Sequence, residues 1–304
     1  MTEHSAPGGA TAGGHTASST GDDLASLRHL ASSGRVPPPA QMARRARRWG
    51  WWYHVEYWMI TAKAWAQSIL VYAIAEPLLY LLALGVGLGT LVDSGAGGVD
   101  GVEYLTFVAP ALLVSTVVMS AAGEFTYPVM AGFKWERLYH GPHATPVTPQ
   151  QIAEGQFVGV MLRFVIQAAI FLGIMWVFGA IESGWAWLCV PIAVLAAGGF
   201  GAPLLAYAAS LESEGYQFAM VQRFIVMPMF LFAGTFFELS TMPWFLQWIG
   251  WISPIWHGTE LARWAAYGSD LSWARAALHV GFLAVLTLIG LLVARRIFAR
   301  RLNG

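Results

Sequence analysis

Three ionisable side chains, Glu76, Glu124 and Arg163, interrupt apolar stretches that are long enough to cross a membrane. A charge at the centre of a bilayer is costly, so each one must be paired, hydrated or used by a ligand. Glu124 and Arg163 are expected near the same membrane surface, where an ion pair acting as a structural clamp explains them slightly better than substrate contact. Glu76 precedes Pro77, which lets the helix bend, and we expect Glu76 to line a cavity.

Aromatic side chains accompany these charges along the same stretches. Tyr72, Tyr80 and Phe125 can stack on sugar rings, and together with Glu76 and Glu124 they form the predicted substrate path. Ordinary helix packing explains the same aromatic residues equally well.

Several motifs of soluble enzymes are absent from the sequence. It contains no G-x-x-x-x-G-K-[ST] phosphate loop, no H-E-x-x-H zinc motif and no G-x-S-x-G nucleophile motif. We therefore predict that the chain is not an enzyme, holds no cofactor and hydrolyses no ATP by itself. His140 and His143 have no Cys or carboxylate at ligand spacing, so no metal site is predicted. Close helix packing explains the GVGLG run at 85–89 better than nucleotide binding does.

The elements that must position these residues are membrane helices. Of the 304 residues, 57% are hydrophobic and 11% are charged, against roughly a quarter charged in an average soluble domain. The formal net charge is zero, and it gives no indication of nucleic acid as a partner. Because about 20 helical residues cross the hydrocarbon layer, an all-α protein with six spans is predicted, at residues 69–92, 104–125, 157–181, 185–211, between 223 and 238, and 276–294.

The fifth of these spans is the least well defined. Only 14 residues between Arg223 and Glu238 are uncharged, which is short for a span unless the helix begins earlier, near Tyr216 or Gln217.

A tryptophan-rich stretch follows, TMPWFLQWIGWISPIWHGTELARW at 241–264. Because Pro243 and Pro254 bound a piece that is too short to cross, an outer re-entrant or interfacial helix pair is predicted. An aromatic belt at the outer surface would produce the same composition, and both interpretations stay open at this point. The residues assigned to the pair are Trp244, Trp248, Trp251, Trp256 and Glu260.

Basic residues are distributed unevenly between the two sides of the predicted spans. Fifteen of the 17 Lys and Arg residues fall on the side that carries both chain ends, while acidic residues collect in the opposite loops. The positive-inside rule therefore predicts a multi-pass protein of the plasma (inner) membrane with both termini cytoplasmic.

The composition also predicts the domain limits. Residues 1–41, rich in Gly, Ala, Ser, Thr and Pro, are expected to form a disordered cytoplasmic tail. An interfacial amphipathic helix is predicted at 42–65, a transmembrane domain at 66–298 and a short cytoplasmic tail at 299–304. In the amphipathic helix, Trp51, Val55 and Trp58 form an apolar stripe opposite the polar residues His54, Glu56 and Lys63.

The segment at 126–153, TYPVMAGFKWERLYHGPHATPVTPQQIA, is the best candidate for a partner surface. Residues 134–139 are predicted to form one or two helical turns, and Thr148 followed by Pro149 is typical of a helix start. Exposing Trp135 on a plain solvated connection would be wasteful, so we expect a protein partner there.

Four stretches resemble the type-2 ABC exporter permeases, especially the branch with the rhizobial nodulation-factor exporter and the lipooligosaccharide permeases. They are EPLLYLLALGVGLGTLV at 76–92, GVEYLTFVAPALL at 101–113, FKWERLYHGPHATPVTPQQIAEGQ at 133–156 and PMFLFAGTFFELSTMPWFLQWIGWISPIWHGTELAR at 228–263. The last two are the most specific. The likeness covers nearly everything from about residue 49 onward, and it excludes the Gly- and Ala-rich tail.

The resemblance implies a pair of permeases, the second being another copy or a paralogue, that carries a cytoplasmic ABC ATPase dimer with ATP and Mg²⁺ bound on the ATPase. The HGPHAT sequence departs from the family pattern and leaves the geometry of this loop open. The ATPase-coupling residues that the resemblance implies are Lys134, Trp135, Glu136, Arg137, Leu138, Thr145 and Pro146.

Export of a glycolipid, lipid-linked oligosaccharide or similar amphiphile is accordingly the leading hypothesis for function. A multidrug or antibiotic exporter of the same family is the near alternative. A membrane-embedded glycosyl- or acyltransferase would need Asp93, Asp100 or Glu103 as base, and the Gly-rich loop that holds them argues against it.

Overall fold

The structure is a computed structural model and describes residue 29 and residues 38–64, 66–213 and 215–304. The predicted tail at 1–41 lies almost entirely outside these residues. Trp49–Gly304 form one compact unit, separate from Met1–Arg48. Within the described residues the regular elements are helices, and the one β-type pairing is an isolated bridge between Val99 and Val102. An all-α fold is therefore confirmed.

The first helices precede and form the first apolar stretch. Helix α1 (Pro39–Ala64) is followed by α2 (Ala66–Tyr80), a π-helical segment (Leu81–Leu88) and α3 (Gly89–Ala96). The π-helical segment contains most of the GVGLG run. A Cβ at Gly85 would overlap the Leu105 side chain, so glycine there permits the close helix packing that was predicted.

The middle of the chain forms two long helices and two short ones. They are α4 (Tyr104–Glu124), α5 (Tyr127–Phe133), α6 (His140–His143) and α7 (Pro149–Val177). Between α4 and α5 the chain bends at Phe125 and Thr126, and the Thr126 hydroxyl donates to the Ala122 carbonyl at 2.8 Å. This hydroxyl satisfies a carbonyl that the bend would otherwise leave without a partner.

The remaining elements alternate long helices with short turns. They are a 3₁₀ turn (Ala186–Leu188), α8 (Cys189–Ser210), α9 (Gln217–Val221), a π-helical segment (Gln222–Val226), α10 (Met227–Phe232), a 3₁₀ turn (Leu239–Thr241), α11 (Trp244–Trp251), α12 (Pro254–Tyr267) and α13 (Trp273–Asn303).

Five helical stretches among the described residues are long and apolar enough to cross a membrane. They are Ala66–Gly95, Tyr104–Phe133, Pro149–Val177, Ala186–Ser210 and Trp273–Asn303. The predicted count of six is not reached, because the fifth predicted span is a shorter apolar helix, Gln217–Phe232. It begins at Gln217, as its length required, but it ends at Phe232, before Glu238. The third span begins at Pro149, earlier than residue 157, so the preceding loop is shorter than predicted.

Helix α4 is the centre of the bundle, and its side chains from Thr106 to Val118 are all buried. Helix α12 packs closely against it, since a Cβ at Gly258 would lie 2.7 Å from Val114 and 2.8 Å from Ala196 of α8. Helix α11 differs, because Trp244, Trp248 and Trp251 are 82%, 53% and 54% exposed. The two helices of the predicted pair thus have different surroundings. The exposed tryptophans of α11 match the aromatic-belt interpretation, whereas α12 is packed into the protein as a re-entrant helix would be.

The bundle has two ends that differ in charge. At the basic end lie the loop after α5 and the last turns of α13, where Phe298 contacts Tyr139 and where Arg300 and Arg301 are found. At the acidic end lie residues 97–103 and the turns that flank α11 and α12, connected by hydrogen bonds such as that from the Tyr267 hydroxyl to Asp100 at 2.8 Å.

Candidate functional site

The loop at 134–148, here called the basic-end loop, carries all the predicted coupling residues. Lys134, Trp135, Glu136, Arg137, Thr145 and Pro146 are exposed and Leu138 is half-buried. The prediction of a helical turn at 134–139 is wrong. The chain instead reverses direction there through Arg137, whose φ of 52° is left-handed, and the short helix α6 forms only at His140–His143.

The reversal is caused by packing beneath the loop. The ring of Tyr139 lies directly on Gly132, where a Cβ would be 2.5 Å from the ring, and the Tyr139 amide donates to the Gly132 carbonyl at 3.2 Å. A helix continuing from α5 would carry Tyr139 away from this contact. The loop therefore presents a polar, exposed tip above a buried aromatic base.

That base is a cluster of Phe133, Tyr139, Phe298 and Arg301, here called the aromatic clasp. The ring centroids are 4.8 Å apart for Phe133 and Tyr139, 4.7 Å for Phe133 and Phe298, and 5.2 Å for Tyr139 and Phe298. The Arg301 guanidinium lies 4.2 Å from the centre of the Phe133 ring. These edge-on and tilted ring contacts, together with the cation–π contact, join the loop and the end of α5 to the last helix.

Helix α1 approaches the clasp from another side. The His54 ring centroid lies 5.9 Å from that of Tyr139, and a Cβ at Gly155 would be 2.5 Å from the Trp51 carbonyl oxygen. The prediction that His54 lies on the polar face of α1 is wrong, because it is 4% exposed. Burial lowers the pKa of His54 to about 4, partly opposed by a hydrogen bond with Gln156. His54 is therefore neutral at physiological pH.

The end of the basic-end loop is fixed by the cap of α7. The Thr148 hydroxyl accepts from the Gln151 amide at 3.3 Å, and the Gln151 side chain accepts from the Thr148 amide at 3.0 Å. With Pro149 in the first turn, this reciprocal capping box confirms the predicted helix start.

The predicted ion pair between the second and third spans is present. Arg163 of α7 donates to and forms an ion pair with Glu124 of α4. One turn further along α7, the Gln167 amide donates to the Ser120 hydroxyl at 2.9 Å. Helices α4 and α7 are therefore joined by two polar contacts in succession.

A groove of about 380 Å³ lies beside these two polar contacts, between α1, α2 and α7. Of the predicted path residues it brings together Tyr72 and Glu76, and it reaches Glu124 only through Arg163. Tyr80 is placed against Phe230, with ring centroids 6.3 Å apart. Phe125 is fully buried against Phe157 and Gly201, which is a packing role. The groove lining is mostly apolar and includes Trp58, Lys63, Arg163 and Gln167.

At the acidic end, Arg263 of α12 is 4% exposed. Its guanidinium donates to the carbonyls of Phe107 at 3.3 Å and Gly234 at 2.8 Å, and it lies 3.7 Å from the centre of the Phe107 ring. Glu260, from the predicted outer pair, is 3.7 Å from the Arg263 guanidinium. Burial raises the pKa of Glu260, and the charge of Arg263 partly offsets this rise.

A second contact anchors α12 to α13. The Nδ1 atoms of His257 and His279 are 2.6 Å apart, and His257 Nε2 is 3.0 Å from the Trp251 carbonyl oxygen. Because a carbonyl only accepts, His257 carries its proton on Nε2, and His279 Nδ1 donates to His257 Nδ1. Trp256, also from the predicted pair, packs over both imidazoles at 4.9 and 5.0 Å.

Several of these contacts have no local signal in the sequence. Phe133, Tyr139 and Phe298 are ordinary apolar residues whose meeting depends on tertiary packing. Arg263 offered a weak signal, since it is one of only two basic residues, with Arg275, in the predicted outer loops. The glycine pair at Gly155 and Gly159, four residues apart, matches the spacing of close helix contacts, and both glycines face α1.

Comparison with known proteins agrees with this architecture. Residues 39–267 match the family described as ABC-2 type transporter. Nodulation protein J of Rhizobium meliloti is 25% identical over 261 residues, covering 84% of this chain and 95% of the relative. Nodulation protein J of Bradyrhizobium diazoefficiens is 29% identical, covering 81% and 92%. The inner membrane transport permease YadH of Escherichia coli is 22% identical, covering 66% and 79%.

The family match covers most of the chain, and the helical, apolar fold with its exposed loop at one end is that of a membrane subunit. The chain therefore belongs to the ABC-2 type transporter family and is a transport permease.

Proposed function

We propose that this permease exports an amphiphile and is driven by a separate ABC ATPase dimer that docks on the basic-end loop. The observation that carries the proposal is the exposed tip of this loop, Lys134 to Arg137, above the buried aromatic clasp. A partner that pushes on the tip meets a packed base, so that force reaches the helices instead of being absorbed by the loop. ATP and Mg²⁺ would bind to the ATPase.

The charge asymmetry supports the orientation. We propose that the basic end faces the cytoplasm, because Lys and Arg are retained on the cytoplasmic side of inner-membrane proteins. Both ends of the chain would then be cytoplasmic, and the acidic end with α11 and α12 would face outward.

The surface of the first span supports a second permease as partner. Leu70, Val71, Leu79 and Leu91 on this span are 51–69% exposed, and a lipid or another membrane helix can cover them. We propose a second copy or a paralogue for this position, since the resemblance implies paired permeases.

The groove beside Glu76 supports an amphiphilic substrate. Its apolar walls suit an alkyl chain, while Glu76, Lys63 and Gln167 offer polar contacts to a headgroup. The aromatic rings of Trp58 and Tyr72 suit sugar faces. We therefore propose a glycolipid, a lipid-linked oligosaccharide or a similar amphiphile, with a drug-like amphiphile as the alternative.

The docking proposal is tested by co-expressing the permease with its ATPase, and by measuring the affinity of the two for each other and the ATP hydrolysis of the purified complex. Trp135→Ala with Glu136→Ala should weaken association roughly 30-fold, since truncating an interface tryptophan costs about 2 kcal/mol. Trp185→Ala, which removes a 60% exposed tryptophan at the acidic end, is the matched control and should leave association unchanged. Unchanged association in the double variant would refute the docking site, and the absence of any associating ATPase would refute the exporter function.

The substrate proposal is tested separately with the assembled complex in vesicles. Lipid-linked oligosaccharides and cationic drugs are added in turn, and the stimulation of ATP hydrolysis is measured. Glu76→Gln and Tyr72→Ala should reduce stimulation by the lipid-linked sugar. Ile74→Ala on the same helix, which is 39% exposed and lies outside the groove lining, should not. Stimulation by the drugs alone would favour the drug-exporter alternative.

A further inference from the structure

The last helix, α13, touches both functional ends of the molecule. Near its C-terminus Phe298 and Arg301 belong to the aromatic clasp under the basic-end loop. Near its N-terminus His279 donates to His257 of α12. At 1.5 Å rise per residue these two contacts are about 28 Å apart along one uninterrupted helix.

The body of α13 is held firmly between these two contacts. A Cβ at Gly290 would overlap Pro203 of α8, and one at Gly199 would be 3.3 Å from Leu283 of α13. Such close approach of two helices resists bending and separation. Displacement of one end of α13 is therefore accompanied by displacement of the other, with α8 alongside.

The C-terminal part of α13 is fixed to the loop and to its surroundings at several points, inside and outside the aromatic clasp. Arg301 Nη1 donates to the Ala209 carbonyl at 2.8 Å, and Arg295 Nε is 3.1 Å from Glu154 Oε1. Phe298 has no exposed surface and packs against both Phe133 and Tyr139, which also contact each other. A shift of the loop must move Phe298 or open a cavity beside it.

We propose that α13 transmits displacement of the basic-end loop to α12, with Phe298 as the positioning residue at one end and His279 at the other. The inference rests on the proposed docking of an ATPase at that loop. The transmitting helix is then remote from the loop in sequence, unlike spans two and three, which flank the loop.

Hydrogen exchange measured by mass spectrometry on the assembled permease–ATPase complex tests this. Exchange is compared without nucleotide and after trapping with ATP, Mg²⁺ and vanadate. In the wild type, trapping should change exchange both in the basic-end loop and in α12. In Phe298→Ala the change in the loop should persist, while the change in α12 should fall to less than half. His279→Ala should give the same pattern.

Matched variants separate transmission from simple loss of stability. Phe171→Ala removes an equally buried phenylalanine from α7, and it should keep the exchange change in α12. Phe298→Leu retains most of the packing volume and should restore part of the response, even if Phe298→Ala assembles poorly.

The possible results are distinguishable. A full α12 response in both Phe298→Ala and His279→Ala would overturn the role of α13. The same loss in Phe171→Ala as in Phe298→Ala would also overturn it, because general destabilisation would then explain the effect. A wild-type loop that shows no response to trapping would refute the docking proposal itself, and the inference with it.

Discussion

The two ends of the bundle are held together by different kinds of contact. At the basic end, Phe133, Tyr139 and Phe298 meet through ring packing, which has shallow directional preference. At the acidic end, the Arg263 guanidinium donates to fixed backbone carbonyls of two neighbouring segments. Ring contacts tolerate small shifts, whereas charge-assisted hydrogen bonds weaken steeply with misalignment. The comparison indicates that ring packing, supplemented by the hydrogen bond from Arg301 to the Ala209 carbonyl, holds the basic end, whereas the hydrogen bonds of a buried arginine hold the acidic end.

The largest expected effect comes from removing the buried cation at the acidic end. Arg263→Ala removes the guanidinium that donates to the carbonyls of Phe107 and Gly234 and that lies beside Glu260. We expect a loss of about 3–5 kcal/mol in the free energy of unfolding, as for other buried charges deprived of their partners. The measurement is thermal or denaturant unfolding of the purified protein in detergent.

Arg275→Ala is the matched control, because Arg275 is an exposed arginine at the same end whose side chain donates to the Asp270 carbonyl at 3.0 Å. Its replacement should change stability by less than about 0.5 kcal/mol. Equal effects of the two substitutions would show that the acidic end is not held by Arg263.

A smaller effect is expected where α1 meets α7 near the basic end. Gly155→Ala places a methyl group 2.5 Å from the Trp51 carbonyl oxygen and 2.6 Å from His54 Cβ. Helix α1 must move, and a cost of about 1–3 kcal/mol is typical of such overpacking. Protease sensitivity of α1 and the thermal midpoint measure it.

The same substitution elsewhere in α7 is the control. Gly173 has no atom within 4 Å of the place where a Cβ would lie. Gly173→Ala should therefore raise stability by a few tenths to about 1 kcal/mol, the helix propensity gain alone. If Gly155→Ala were equally favourable, the contact between α1 and α7 would not be tight.

The smallest predicted effect is a difference between the two ends in how their contribution to stability depends on pH. The folded-state pKa of His54 is lowered from 6.5 to about 4, so the unfolded state binds more protons in that window and stability falls as pH drops from 6.5 towards 4. The pKa of Glu260 is raised, so on acidification the folded state binds a proton at Glu260 before the unfolded state does. Protonation of Glu260 therefore adds stability as the pH falls. When the pH is lowered from 7.5 to 5, the thermal midpoint of His54→Phe should therefore fall less than that of the wild type. The thermal midpoint of Glu260→Gln should fall more.

Identical pH profiles for the two variants would remove this distinction between the ends. The comparison would then depend on the contacts of Arg263 and Gly155 alone.

Local patterns in the sequence predicted much of the frame. The Thr148 cap follows from residue preferences over four positions, and the Glu124–Arg163 pair follows from the cost of isolated charges in a membrane. The shortness of the fifth helix was visible in its 14 uncharged residues. The π-helical segments were not predicted, because hydropathy carries no information on local helix winding.

The remainder depends on contacts between distant residues. The turn at 134–139 differs from the predicted helix because Tyr139 packs on Gly132, and nothing in the spacing of those residues indicates that contact. Likewise the polar type of His54 indicates exposure, while its burial is due to Gly155, which allows α1 to approach α7. Substrate-path and coupling residues stay predictions. The structure places only Tyr72 and Glu76 of the predicted path in a groove, and it places the coupling residues on a loop whose tip is exposed.

The most direct test of the central claim is site-specific photo-crosslinking in the assembled complex. A photoreactive phenylalanine analogue replaces Trp135 at the basic end or Trp244 at the acidic end, two tryptophans that are 47% and 82% exposed. The proposed docking predicts a crosslink to the ATPase from position 135 and none from position 244. A crosslink to the ATPase from position 244, or none from position 135 in a complex that still hydrolyses ATP, would contradict it.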